Sequence, residues 1–180
     1  MLTTMLTTMM MTMLVGSASA DEISAEGYLQ VTPSGELASG LGARLDSGSA
    51  FLSLEGRGAT EGNWVGRATG GIDLFSGSDR FDLTLGLFLG TTGSTLDPSV
   101  ETAGTAGFEF GFGGNVGPLR ARYRHADGFK GPLETHLTED EFRLGYLAFN
   151  TIEFFGQYVR FNPGEHDVVD GYGAGVKVVF

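Results

Sequence analysis

The chain has 180 residues, with 22 Asp and Glu against 11 Lys and Arg, a net charge of −11, and no cysteine. Without thiols it is neither a disulfide scaffold nor a thiolate metal site, and a surface this negative repels nucleic acid. No stretch approaches 18 consecutive apolar residues, so no transmembrane helix is expected, and the length suits one domain.

Residues 1–20 carry no charge, have an apolar stretch around Met9 to Val15, and end in Ala18-Ser19-Ala20 before Asp21. That is the small-x-small pattern of a secretory signal peptide cleaved after Ala20. All six methionines lie in the first 13 residues, so the expected domain, residues 21–180, has neither Met nor Cys.

From there, period-two alternation recurs, the mark of a strand with two different faces. The runs begin with Gly27, Leu29, Val31; then Leu37, Leu41, Ala43, Leu45; Ala50, Leu52, Leu54; and Trp64, Ala68, Ile72, Leu74. Phe81 to Leu89, Ala106 to Phe112, Leu119 to Tyr123 and Phe142 to Ala148 follow, each apolar at every second position. Ile152 to Phe161 and the terminal segment complete ten candidate strands. Helical periodicity is absent, and glycine in most segments argues against helices independently. Eight strands, with the first two segments irregular, is the alternative count.

The terminal segment is the most specific. Tyr172, Ala174, Val176, Val178 and Phe180 alternate with Gly171, Gly173, Gly175, Lys177 and Val179. This resembles the C-terminal strand of bacterial outer-membrane β-barrels. The resemblance implies an all-β, closed antiparallel transmembrane barrel in the bacterial outer membrane. It also implies that Tyr172, Val176, Val178 and Phe180 form the outward signal read by the assembly machinery, and that outer-membrane lipid surrounds the barrel.

In such a barrel with its C-terminus at the periplasmic side, alternate connections face outward, where the longer loops lie. The long connections near Thr91 to Ala103, Gly128 to Thr138 and Asn162 to Asp167 all sort to the extracellular side of a ten-strand count. The short ones, at Asp46-Ser47-Gly48, Ser76-Gly77-Ser78, Gly114 to Gly117 and Asn150-Thr151, sort to the periplasmic side.

With the apolar face outward, the lumen receives Arg44, Arg57, Arg67, Arg120, Arg122, Arg124, Arg143 and Lys177, eight of the eleven basic residues. It also receives Glu26, Glu55, Asp73, Asp82, Glu109 and Glu153. A one-residue slip would turn each arginine to lipid at roughly 2–4 kcal/mol near the midplane. Inward glycines (Gly40, Gly42, Gly86, Gly107, Gly111, Gly145, Gly173, Gly175) are expected to make room for arginines from facing strands. Two readings follow: a structural core of arginine–carboxylate pairs, or a narrow pore with a slight anion preference.

Twelve acidic residues fall at the expected extracellular rim: Glu36, Glu61, Asp97, Glu101, Asp127, Glu134, Glu139, Asp140, Glu141, Glu165, Asp167 and Asp170. They are a solvated surface or a site for divalent cations or cationic partners. Aromatic girdles are expected from Tyr28, Trp64, Phe75, Tyr123, Phe142, Phe154, Tyr158, Tyr172 and Phe180. His125, His136 and His166 also lie at the rim. The stretch Arg122 to Asp127 loosely resembles lipid A deacylase barrels, but Asp127 stands where the nucleophilic serine is needed, so the triad logic fails. No enzymatic activity, metal centre or cofactor is expected, and a hydrolase with its site at this rim is the second alternative.

Overall fold

The computed structural model describes residues 22–60, 62–75, 81–94, 102–131, 135–149, 151–162 and 169–180. Ten strands run through them: β1 (Glu22–Val31), β2 (Leu37–Ser47), β3 (Ala50–Ala59), β4 (Asn63–Asp73), β5 (Phe81–Ser94), β6 (Ala103–Val116), β7 (Leu119–Lys130), β8 (Thr135–Ala148), β9 (Ile152–Asn162) and β10 (Val169–Val179). Each pairs antiparallel with its sequence neighbours, and β1 pairs with β10 from Ser24–Val179 to Val31–Tyr172, which closes the barrel. Closure satisfies every strand edge. The first two segments are full strands, so the count is ten and not eight.

Glycines at positive φ, Gly48 (58°) and Gly117 (60°), take the left-handed backbone in two of the tight turns at the end of the barrel that carries the C-terminus. At the opposite end, the loop end, strands run further than alternation suggested. β5 continues to Ser94, β7 to Lys130, and β8 starts at Thr135. The segment Gly128 to Thr138 is therefore mostly strand and not a long loop. The leader with its cleavage position lies outside the described residues, as do Glu61, Asp97, Glu101, Glu134, Glu165, His166 and Asp167.

The distribution of side chains is inverted relative to a water-soluble domain. Leu87 (73% exposed), Leu89, Leu41, Leu29, Phe108, Leu144 and many other large apolar residues face out, while Arg67, Glu109, Glu139, Arg143 and Lys177 are buried inside. A contiguous apolar exterior of this extent is foreign to soluble monomers, which rarely expose more than a few hundred Å² in one patch.

Aromatic side chains bound this belt. Phe112, Tyr123, Phe142, Tyr158 and Tyr172 stand side by side on β6 to β10, with ring centroids 5.3 Å apart for Phe112–Tyr123 and 5.1 Å for Tyr158–Tyr172. Near the C-terminal end Phe81, Tyr146, Phe149, Phe154 and Phe180 are exposed. Tyr172 and Phe180 are eight positions apart on β10 and its terminal residue. That spacing spans about 20 Å at a tilt near 40°, close to the ~25 Å apolar band of such barrels. Tyr28 leaves the girdle set: it is buried inside the barrel and donates its hydroxyl to Glu55 (3.1 Å). Phe75 lies beyond the end of β4 in the turn, exposed.

Candidate functional site

The lumen is the one place where charged side chains from many strands meet, and alternation puts them there. On β8 the inward positions are Leu137, Glu139, Glu141 and Arg143; on β7 they are Arg120, Arg122, Arg124 and Ala126. Glu139 and Glu141 are thus lumenal, not part of an acidic rim. Asp140 between them faces out, where it accepts hydrogen bonds from the Tyr123 hydroxyl (2.5 Å) and meets His125 Nδ1 at 2.8 Å. The triplet Glu139-Asp140-Glu141 therefore cannot act as one cation-binding cluster. It is split between two faces of the wall because period two sends neighbours apart.

Glu139 is the centre of the network and only 1% exposed. Arg57 from β3, Arg67 from β4 (3.2 Å) and Arg124 from β7 (2.8 Å) all donate to it. Arg124 also reaches Glu55 at 2.9 Å and Glu141 at 2.7 Å, with Glu109 at 3.9 Å. Arg57 meets Glu55 at 3.2 Å. Arg143 carries the network downward through Glu141 (2.9 Å) to Glu26 on β1 (2.6 Å) and Gln157 on β9 (3.2 Å). Arg57, Arg124, Arg143, Glu55, Glu139 and Glu141 each meet two or more charged partners, which is the condition under which buried ions are tolerated. On the loop side of Glu139, Phe88, Ala126 and Leu137 form a buried apolar cluster. Arg67 stacks over Phe88 with its guanidinium carbon 4.6 Å from the ring centroid.

Toward the C-terminal end the pairs are simpler and wetter. Arg122 meets Asp82 at 2.8 Å, Arg120 meets Glu153 at 3.3 Å, and Arg44 meets Asp46 at 2.7 Å. Arg44 and Arg143 also stack over inward rings, Phe51 at 4.0 Å and Phe155 at 3.9 Å. Lys177 lies between Glu26 and Glu153 in register. Asp73 does not join any of this: its carboxylate accepts the Phe75 backbone N–H (3.0 Å) and caps the turn after β4.

Sequence reasoning missed Glu139, Glu141 and Asp46 as lumenal acids, and the stacked phenylalanines Phe51, Phe88 and Phe155. The parity of Arg143, extended backward along β8, would have found the first two. Counting among the described residues, and leaving aside Asp73 in its turn, nine carboxylates of lumenal parity (Glu22, Glu26, Asp46, Glu55, Asp82, Glu109, Glu139, Glu141, Glu153) stand against the eight basic residues. The excess of positive charge behind an anion preference is gone. The inward glycines also serve differently from expectation. A Cβ at Gly40 would stand 2.2 Å from the Tyr28 ring, and one at Gly145 would stand 2.2 Å from Glu153 Oε1. They make room for side chains of adjacent strands, not for arginines reaching across.

The described histidines are paired on the outer wall. His125 meets Asp140, and His136 Nε2 meets Asp127 at 2.8 Å. Neither lines the lumenal cavities beside Arg122 and Lys177. Among the described residues no cluster of His, Asp and Glu is arranged to hold a metal ion. Phe180 continues β10, its N–H donating to the Ile23 carbonyl at 2.8 Å, and Tyr172, Val176 and Phe180 all face outward.

No protein-family model matches the sequence, and no characterised protein matches it closely enough to count as a relative. Solved structures do match the fold. The KdgM porin in complex with disordered oligogalacturonate superposes at a TM-score of 0.55 and 12% identity, covering 88% of this chain and 99% of that one. The NanC porin superposes at 0.54 and 11%, covering 87% and 98%, and a second KdgM porin structure at 0.50 and 9%, covering 87% and 99%. Similarity at this identity is one of fold, and the fold is that of outer-membrane porin-type β-barrels.

Proposed function

We propose that this chain is a non-enzymatic outer-membrane barrel, exported with removal of residues 1–20. Its lumen is closed by the network around Glu139, and its role is structural or one of surface interaction. The observation that carries the reading is Glu139 itself: a carboxylate 1% exposed, held by arginines from three other strands beneath an apolar stopper. Lipid would cover the belt between the aromatic rows, with the C-terminal end toward the periplasm. The outward side chains of Tyr172, Val176, Val178 and Phe180 would present the assembly signal. Deleting Phe180 should leave secretion intact and reduce outer-membrane levels; normal levels of folded deletion variant would refute the membrane reading.

The competing reading, a narrow porin, draws on two cavities of the lumen, one toward the C-terminal end beside Arg120 and Lys177 and one that reaches up to Glu55, Glu109 and Arg124. Planar-bilayer recording of the refolded protein separates them. The closed lumen predicts little conductance, whereas large, stable wild-type channels would establish the pore. Divalent-cation or cationic-partner binding at the acidic loops would rest on carboxylates other than Glu139 and Glu141, which face the lumen.

A further inference from the structure

We infer that the outer wall of β7 to β10 is a docking surface for zwitterionic lipid headgroups, which descend the barrel there to a depth where the rest of the wall meets acyl chains. The inference rests on the membrane reading above. Among the described strand residues, every outward His, Asp, Glu, Lys or Arg lies on these four strands: His125, Asp127, His136, Asp140, Arg160 and Asp170. On β1 to β6, alternation puts all such residues on the inner face.

The apolar wall is correspondingly short. On β5 the outward side chains of residues 81–89 are Phe81, Leu83, Leu85, Leu87 and Leu89, about 20 Å of wall at a strand tilt near 40°. On β7 they are Leu119, Ala121 and Tyr123, about 10 Å, before His125 is reached. His125 stands as far along β7 from Leu119 as Leu87 stands along β5 from Phe81, and Leu119 and Phe81 are both exposed at the C-terminal end of the barrel. The lower edge of the belt is therefore level, and its upper edge drops at β7 to β9. One step toward the loops from Tyr123, Phe142, Tyr158 and Tyr172, the wall presents His125, Asp140, Arg160 and Asp170. Three tyrosines stand in the lower row, and tyrosine belongs at a membrane–water boundary.

The patch carries both signs. The side chains of Arg160 and His136 are 58% and 55% exposed, and those of Asp170 and Asp140 are 41% and 37% exposed. Guanidinium and imidazole suit a headgroup phosphate, and the aspartates suit its ammonium. A bilayer of uniform thickness would hold these groups in hydrocarbon, where charge is costly. Local thinning costs little per Å and brings headgroups and water to them. A protein partner fits less well: the patch wraps a convex wall of four strands and lacks the apolar, desolvated centre of an interface. Phe129, above it, is stacked on His136 with ring centroids 5.6 Å apart.

Depth-dependent fluorescence quenching tests this. Trp64 is the only tryptophan, so a Trp64→Phe background accepts a single reporter, either Phe142→Trp below the patch or Leu87→Trp on β5. The barrel is refolded into phosphatidylcholine vesicles whose chains are brominated either near the headgroup or near the bilayer centre. Bromines in both leaflets make the reading independent of insertion direction. Phe142→Trp should be quenched at least twofold more by the shallow bromines, and Leu87→Trp more by the deep ones. Adding His125→Leu, Asp140→Leu and Arg160→Leu to Phe142→Trp should shift its quenching toward the deep bromines; if that variant fails to fold, the first comparison stands by itself. Equal depth profiles for the two reporters would overturn the inference. So would a Phe142→Trp that no bromolipid quenches beside a quenched Leu87→Trp, because protein would then cover the wall. Quenching of neither reporter would refute the membrane reading itself, and this inference with it.

Discussion

The two halves of the lumen are built from the same residue types yet differ in kind. On the loop side of the barrel, Arg57, Arg67 and Arg124 share Glu55, Glu109, Glu139 and Glu141; Arg57, Arg124, Glu55, Glu139 and Glu141 each have two or more partners, and acids outnumber bases. On the C-terminal side, Arg44, Arg120 and Arg122 hold one acid each. Arg143 straddles the two. The difference teaches that composition alone does not decide whether a charged lumen is a plug or a vestibule. Connectivity does: a carboxylate held from three strands cannot move without stranding three cations, whereas an isolated pair near a mouth exchanges freely with water.

The largest test of that contrast is Glu139→Leu. Three arginines would be left without their shared carboxylate, and removing one partner from a buried ionic group costs about 3–5 kcal/mol. Trp64, the only tryptophan and outward on β4, gives the fluorescence signal for urea unfolding of the refolded barrel. A loss below about 1 kcal/mol would show that the network is not the mechanical centre of the lumen.

Replacing Arg122 and Arg124 together by serine probes both halves at once. Arg124 alone leaves Glu55, Glu139 and Glu141 short of a donor, so stability should fall by about 3 kcal/mol or more. Conductance should rise from near zero as the constriction widens. Unchanged conductance together with lost stability would place the barrier elsewhere, at the cluster of Phe88, Ala126 and Leu137.

Gly40→Val tests packing between adjacent strands. Its side chain would occupy the space of the Tyr28 ring, which in turn donates to Glu55. Overpacking of this sort costs about 1–3 kcal/mol. A neutral result would mean that the ring swings aside and the Glu55 contact carries little.

Much of the architecture was legible in the sequence, because a barrel wall obeys one rule, the alternation of faces, over every strand. The ten segments, the register and the inward direction of Arg124 and Arg143 all follow from it. Legibility failed where a second expectation overrode parity. Glu139 and Glu141 adjoin Asp140, and a run of three acids looks like a solvated loop; yet Leu137, Glu139, Glu141 and Arg143 keep one parity and β8 simply extends further. Tyr28 was inward by alternation, while its aromatic type suggested a girdle. Stacking of Arg67 on Phe88, or of Arg143 on Phe155, depends on which strands face each other across the lumen, and no local pattern encodes that.

The smallest expected effect is the most discriminating within the C-terminal half. Asp82 and Asp73 share the inward parity of neighbouring strands, and sequence alone assigns both to the charge network. Asp82 pairs with Arg122 at 2.8 Å, with side chains 28% and 42% exposed. Asp73 instead accepts the Phe75 N–H, and among the described residues it meets no cation. A partly exposed pair is worth about 0–1 kcal/mol, and a single turn hydrogen bond about 0.5–1.5 kcal/mol, so Asp82→Asn and Asp73→Ala should both cost little. Salt separates them. The Asp82→Asn loss should shrink when unfolding is repeated in 1 M NaCl, where screening acts over about 3 Å, and the Asp73→Ala loss should not. Equal salt sensitivity of the two would return Asp73 to the network and blur the line between turn and lumen at this end of the barrel.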